Sequence, residues 1–469
     1  MPMRLIPGAR ASRLVAAAVG GSVVVGLLWG AGLLLNFAGA TATALAAVVG
    51  GGGVASLVLT YRSHRLAETA DRREEGKVFH EKFGAAAAQI GSEQIHIKLG
   101  GVQTLARLAD EWAIGRQQCI DLLCASLRRP WAPEPTRPPD EGPPPFDEHR
   151  AWKDDQEFRH TIIRIVSEHL RADAEVSWHP YTFDFSGAVF DGADFSRVVL
   201  SNGTFNFSRC VFLSGETSFR AAEFSGDVSF EGARFARGRV SFRDIKVTGG
   251  TVNFKQCIFE DADIDFFEAT LQAGTVSFEF ARFADGNVDF SSAVLAGSHL
   301  SFSHTLFDGS TVRLYQATLS DGELDFNGAR LEEGILDLTN IRLVRGILNF
   351  QQALFGGCDV VFSSAIFDDI IADFRYSRFA PGTISFKFVR FNHGSTVLFA
   401  HTVWDGAWAY FTNAIFFTQN VSFDSAIFKR GTLDLTEADL FLPEFTAEQM
   451  NHNVVKLPKH VFSKRATNS

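Results

Sequence analysis

Cysteine, methionine and tyrosine are scarce in this chain: five, three and five residues out of 469. Five scattered Cys are too few for a disulfide framework, and a reducing compartment suits them. Cys119 and Cys124 fall on a predicted helix with no His or Cys pair beside them to complete a zinc site. Cys210 and Cys257 sit where small buried residues are expected, whereas Cys358 falls at a turn and is expected to be exposed. The usual signatures of chemistry are also missing. There is no His-Glu-x-x-His, no Gly-rich phosphate loop with Lys, no Gly-x-Ser-x-Gly and no Cys-x-x-Cys. The 13 His are dispersed. No catalytic residue, cofactor or metal ligand is assigned, and the expectation is a protein that is not an enzyme. Proline is thin except between Pro130 and Pro145, which hold eight of the 14. Charge is absent from Leu14 to Leu35 and again from Ala38 to Tyr61.

Phenylalanine is abundant, with 46 residues, and most of them fall at fixed intervals. From Phe207 the chain steps five residues, then usually seven: Phe230/Phe235, Phe242/Val247, Phe254/Phe259, Phe266/Leu271, Phe278/Phe283, and onward to Leu435/Leu440. A short unit repeated this way predicts a solenoid with one continuous core. Gly recurs at the first inserted position (Gly238, Gly250, Gly274, Gly286, Gly322, Gly334, Gly346, Gly382, Gly394 and Gly431). This predicts that every second corner is a longer turn with φ > 0 at the Gly. Two 12-residue half coils then make a coil of about 24 residues, and about ten such coils at about 4.8 Å each make a rod roughly 50 Å long.

Upstream of Phe207 the spacing is strictly five: Phe185, Phe190, Phe195, Leu200, Phe205. Ala188-Val189-Phe190-Asp191-Gly192 and Ala193-Asp194-Phe195-Ser196-Arg197 resemble the pentapeptide repeat family, whose unit is a small residue, a polar residue, Leu or Phe, and two polar residues. The resemblance implies a mainly β fold, a right-handed quadrilateral parallel β-helix. In it the Phe or Leu and the residue two before it point inward. Gln89-Ile90-Gly91-Ser92-Glu93 and Lys98-Leu99-Gly100-Gly101-Val102 look like the helical segment before the repeats in membrane-anchored pentapeptide repeat proteins of actinobacteria. Asp154-Asp155-Gln156 leading to Ile162-Ile163 is similar to the short helix that enters the repeats there.

The two uncharged runs are long enough to cross a bilayer and are joined by a very short connection at Asn36-Phe37-Ala38-Gly39. They predict a transmembrane helical hairpin. Arg4, Arg10 and Arg13 before it and Arg62, Arg65, Arg72 and Arg73 after it place both termini in the cytoplasm of a multi-pass plasma-membrane protein. A signal peptide cleaved after Ala38-Gly39-Ala40 is the rival reading. Small residues such as Gly26 and Gly30 serve hairpin packing, and a homodimer is the alternative use. The expected organisation is an N-terminus (1–13), the hairpin (14–61), a helical segment (62–129), a Pro-rich linker (130–150), a capping helix (151–182), the β-helix (183–441), and a C-terminal cap and tail (442–469). Within these, helices are expected at 66–83, from Ile95 to Trp112, from Gln117 to Arg128 and from Asp154 to Arg171. The last of these would cap the solenoid's open end, and Thr446 to Leu457 would form a short helix at the other.

Between Phe183 and Leu440 there are 32 Asp and Glu against 20 Lys and Arg. Such a rod is ill suited to nucleic acid. Asp recurs just before the repeated Phe (Asp265, Asp289, Asp325, Asp373), at positions expected to point outward in a stripe. That stripe reads as a solvated face, with calcium binding or imitation of nucleic acid phosphates as alternatives. The step from Phe386 to Phe399 is 13 residues, and Trp404, Trp408 and Tyr410 lie nearby. They mark either a bulged coil or an interaction surface. The leading expectation is a membrane-anchored, non-enzymatic scaffold on the cytoplasmic face with an unidentified protein partner. From the resemblance comes an alternative, a DNA-mimicking regulator of DNA gyrase. A third reading, an exported carbohydrate-active β-helix, has no fixed carboxylate pair to support it.

Overall fold

The computed structural model describes residues 74, 76–131, 134–135, 146–440 except 202, 214 and 419, and 446, 449 and 454–457. The expected hairpin lies outside the described residues, among which no helix is long and apolar enough to cross a membrane. The chain divides into two compact units, Met1–Gly84 and Ala85–Ser469. The first contributes helical residues over 76–84.

The second unit holds three long helices, α1 (Ile95–Glu111), α2 (Arg116–Leu127) and α3 (Phe146–Leu170). Val102, Leu105 and Leu108 of α1 are buried, as the three- and four-residue spacing requires. Asp110 ties α1 to α3: its carboxylate accepts from the Trp178 indole at 2.9 Å and faces His169 Nε2 at 3.2 Å, while the His169 ring stacks on Trp178. Helix α3 starts at Phe146, eight residues before the expected start, so 146–150 belong to the cap and not to an extended linker. Asp147 and Glu148 in its first turn suit the positive end of the helix dipole.

The array is a parallel solenoid of about 11 turns. Each coil has four faces of two- or three-residue strands, with side chains alternately in and out. Faces 1 and 4 each form an 11-stranded parallel sheet. Faces 2 and 3 join into one sheet because two eight-residue strands, Val403–Tyr410 and Ile427–Asp434, run across their shared corner. Phe235 lies opposite Phe259 and Phe259 opposite Phe283, so a regular coil takes 24 residues. The inward rings stack with their equivalents one coil on: Phe254 and Phe278 at 4.8 Å, Phe259 and Phe283 at 4.4 Å. The residue two before each ring (Ala233, Val240, Ile245 and so on) is buried too.

The first coils differ from the expected five-residue rhythm. Phe185, Phe190, Phe195 and Leu200 occupy successive faces, but Phe185 stacks on Phe207, not on Phe205. Phe205 stacks on Phe183 at 5.2 Å and takes the inward place filled by Val228 in the next coil. The coil therefore closes only after an inserted pair of residues.

Tight corners follow faces 1 and 3, and the longer Gly corners follow faces 2 and 4, as expected. Positive φ, however, is not confined to the Gly corners. At the tight corners up to Ser425 the second residue after the inward Phe or Leu is left-handed, and it is seldom Gly: Gln256, Phe280, Ser292, His304 and Tyr376 lie at φ 54–62°. Hydrogen bonds impose this conformation. The amide of Ser292 donates to Tyr315 O at 2.8 Å in the next coil, so the turn is fixed by stacking at a residue cost of about 1–2 kcal/mol. At two long corners, the Gly are not left-handed. At Gly322 and Gly346 the positive φ belongs to Asp321 and Arg345, and a Cβ on either Gly would come within 2.5–2.7 Å of a carbonyl of the coil before.

The corner between faces 2 and 3 alternates from coil to coil: Gly238, Ala262, Gly286, Ser310, Gly334, Cys358, Gly382, Ala407, Gly431. A Cβ on Gly334 would meet Ser310 O at 2.0 Å, and one on Gly431 would meet Ala407 O at 2.0 Å. A small residue is accommodated only in every second coil. Cys358 is one of these small residues and is buried, contrary to the expectation of exposure.

Two of the helices cap the first coil. Gln117 of α2 exchanges hydrogen bonds with the Thr182 backbone at 2.8 and 3.0 Å, and Arg128 donates to Asp184 O at 3.0 Å. From α3, Ser167 donates to Asp194 O at 2.7 Å, and buried Arg159 donates to Val189 O and Leu127 O. Strand carbonyls that would otherwise lack partners at an open edge are thus satisfied. At the other end most of the expected helix over Thr446 to Leu457 lies outside the described residues; Gln449 within it is helical, but its last residues are not. Val455–Lys456 is instead a strand paired with Leu433 and Asp434, and the buried Gln449 amide donates to Phe423 O at 2.9 Å.

Replacing Phe278 with Ala should cost about 3–5 kcal/mol in a denaturant titration, because both ring stacks are lost and the rigid coils cannot close the cavity. Gly334→Ala should destabilise by more than about 1 kcal/mol, whereas Ser292→Gly should leave stability unchanged or raise it by up to about 1 kcal/mol. Equal effects at the two positions would contradict this account of the corners.

Candidate functional site

The Asp residues that precede a ring do not form a solvated stripe. Asp265 and Asp289 lie on face 3, Asp325 and Asp373 on face 1. Three of the four are buried, with Asp373 at 4% exposure. Each accepts the amide two residues on, at 2.8–3.0 Å, and closes the tight corner as an Asx turn. Asn253 and Ser229 do the same where Asp is absent. The stripe reading fails because these carboxylates are spent on backbone.

Acids are also joined to cations one coil away, Asp265 among them. Arg234 pairs with Glu260, Arg239 with Asp265 (2.6 Å), Arg282 with Asp308, and Arg345 with Asp321 (2.8 Å). Asp405 sits between Arg430 and Arg378 at 2.7 and 3.4 Å, and Arg430 holds its carboxyl below the usual carboxylate range. Among the described residues no group of three or more metal-ligating side chains occurs.

The Trp404 region resolves into core and surface. Trp404 is buried at 1% exposure and stacks between Phe379 (4.0 Å) and Phe428, so it takes the inward place of a repeat ring and is no part of a surface. Trp408 is half exposed on face 3, and Tyr410, two residues on, lies under the Lys387 ammonium at 5.5 Å. Phe388 beside Lys387 is 56% exposed and left-handed at φ 59°. Its amide donates to Thr412 O at 2.9 Å in the next coil, which fixes that conformation as at the other tight corners, while its ring is left in solvent. The bulge expected here exists as well. The pairing of Val403–Tyr410 with Ile427–Asp434 shifts register on both sides of Asp405. The extra residue behind the 13-residue step lies elsewhere, in the corner at Gly394 between Phe391 and Phe399.

Sequence reasoning missed two polar hollows along face 3. The larger, about 410 Å³, is lined by Glu216, Ser218, Arg220, Arg239, Ser241 and Arg243. A second, of about 310 Å³, shares Arg239 and Arg243 and adds Asp263, Asp265, Phe267 and Asp289. Face 3 thus carries basic side chains toward one end and the exposed aromatic group toward the other. No motif announces them, because the side chains that meet are a coil apart in sequence.

The five Cys are interior. Cys210 and Cys257 donate to carbonyls of the preceding coil at 3.1 and 3.0 Å. Burial pushes Cys119, Cys124, Cys210 and Cys358 up to about 12, and Cys257 further.

A parallel β-solenoid with four short-stranded faces and a Phe or Leu at each inward position defines the class of this molecule. Residues 185–234 match the family described as Pentapeptide repeats (9 copies), so the repeats of this stretch are of that family. Neither the curated proteins nor the solved structures gave a match. The matched segment covers the early coils, and beyond it the 24-residue coil departs from a plain repeat of five.

The raised thiols bind their protons longer folded than unfolded. Stability should therefore be complete below the ordinary thiol range near about 8.5 and decline as pH rises toward about 12. Replacing Cys210 and Cys257 with Ala should flatten that alkaline limb in urea titrations. An unchanged limb would show that these thiols do not titrate with unfolding.

Proposed function

We propose that this protein is a membrane-anchored, non-enzymatic scaffold whose rod displays a protein-binding face in the cytoplasm. The observation that carries the reading is the group of exposed Trp408 and Phe388 and half-buried Tyr410 with Lys387 on face 3 and its corner. Trp and Tyr with a cationic rim are the side chains that dominate protein interfaces. Phe388 adds a second exposed ring beside Lys387 at the corner that follows face 3. Anchoring rests on the two uncharged runs and their Arg-rich flanks. The nucleic-acid-mimicking alternative rests on the family resemblance and the net acidic array, without an Asp stripe to add to them.

Two measurements test the two parts. Because all five native Cys are buried, introduced thiols can be labelled selectively in intact cells. Asn36→Cys should react with a membrane-impermeant maleimide from outside, and Thr467→Cys only after permeabilisation. Labelling of Thr467→Cys in intact cells would refute the cytoplasmic placement. For the binding face, Trp408→Ala should abolish capture of the protein that the full-length chain retains, with the melting temperature unchanged, while Trp404→Phe should retain it. Capture that survives Trp408→Ala and Tyr410→Ala together would move the interface elsewhere.

A further inference from the structure

We infer that the hollow on face 3 between Arg220, Arg239 and Arg243 is a binding site for a phosphate monoester. This stands apart from the aromatic group and from membrane anchoring, and neither is needed for it. Three guanidinium groups from two successive coils border one hollow of about 410 Å³, with the hydroxyls of Ser218 and Ser241 on its floor and Glu216 as the single carboxylate in its lining. Each guanidinium is held in place by a fixed neighbour. Arg239 gives Nη2 to Asp265 at 2.6 Å, and that carboxylate is itself buried and bonded to the Phe267 amide. Arg220 gives Nε to Asp244 at 3.3 Å. Arg243 lies flat over the Phe267 ring at 4.2 Å.

A guanidinium carries five N–H donors, and these contacts use one each on Arg220 and Arg239 and none of the edge on Arg243. The remaining donors border the hollow. Several other cations of the rod pair with acids one coil away, among them Arg234, Arg282 and Arg345. Arg243 stacks instead, and has no ion-pair partner among the described residues. Oriented arginines with spare planar donors, beside two hydroxyls, are the arrangement that a tetrahedral dianion satisfies by several charge-assisted bonds at once. The adjoining hollow, lined by Asp263, Asp265 and Asp289 together with Arg239, Arg243 and Arg313, offers both acceptors and donors. It suits hydroxyl or amino donors on the group that carries the phosphate. Both a free sugar phosphate and a phosphorylated side chain of a protein offer this chemistry.

Calorimetric titration of the full-length chain with inorganic phosphate, ribose 5-phosphate and a phosphoserine peptide tests it. At least one of the three should bind saturably, and Arg243→Ala should weaken that binding about tenfold or more. Arg243→Lys should recover only part, since a point charge lacks the planar donor pair. Arg342→Ala on face 4 should change nothing. Ribose 5-phosphate binding tighter than the peptide points to a free metabolite, and the reverse to a phosphoprotein. Absence of any saturable binding below about 10 mM, or an equal loss in Arg342→Ala, would overturn the inference. Phosphate-dependent thermal stabilisation of the unaltered chain is a second readout that needs no variant.

Discussion

The amide of Phe254 donates to Ser277 O, that of Phe278 to Ser301 O and that of Phe302 to Asp325 O, each at 2.6–2.7 Å. These bonds, repeated on every face, hold successive coils in register at a spacing of about 4.8 Å. Whatever occupies one position therefore lies directly beneath its equivalent in the next coil. For inward Phe this is favourable, since parallel rings stack and exclude water. For outward charges it is not. Two like charges at about 5 Å repel by nearly 1 kcal/mol even in water, and opposite ones gain as much. One outward column of face 2 answers this constraint directly: Arg234, Ile258, Arg282, Leu306, Arg330, Leu354, Arg378, Val403. Arg and aliphatic residues alternate, so like charges stand two coils apart. In three of the four coils that carry it, the Arg reaches an acid in the next coil.

The neighbouring Gly corner alternates with the same two-coil period for a steric reason. There a Cβ in the Gly coils would run into a backbone carbonyl of the coil before, as at Gly334 and Gly431. Charge and sterics thus impose one period on adjacent columns. The structural unit of this rod is accordingly a pair of coils, about 48 residues, and not the five-residue step or the half coil.

What could be read from the sequence was whatever depends on phase alone. The inward Phe and Leu, the small residue two before each, and the long corner after every second face all follow from spacing. The features that escaped depend on neighbours a coil away. The left-handed residue at each tight corner can be Phe280, Gln316 or Tyr376, because hydrogen bonds between stacked turns enforce the conformation and residue type does not reveal it. Asp325 looks outward by alternation, yet its side chain bends to cap the turn it precedes. Trp404 looks like a surface residue until its ring is seen to fill a Phe position. Phe205 was miscounted because the inserted pair lies between Leu200 and Phe207, where five-residue text continues unbroken.

These column rules also bear on where function can reside. A net acidic rod would ordinarily be read through its overall field, but here much of the acid is committed locally, to turn amides or to cations one coil away. Such groups resist reorganisation, since removing one partner strands the other. A partner therefore meets the side chains that the columns leave over. Arg243 stacks on a ring instead of pairing with an acid, and Phe388 leaves a bulky ring exposed at its corner. Trp408 departs from the polar composition of its own column, where Asp359 and Thr383 precede it and Thr432 follows. All three lie on face 3 or its corner with face 4. A face that breaks the rules of its own scaffold at several coils is under a constraint that the scaffold does not supply, and recognition of another molecule is such a constraint.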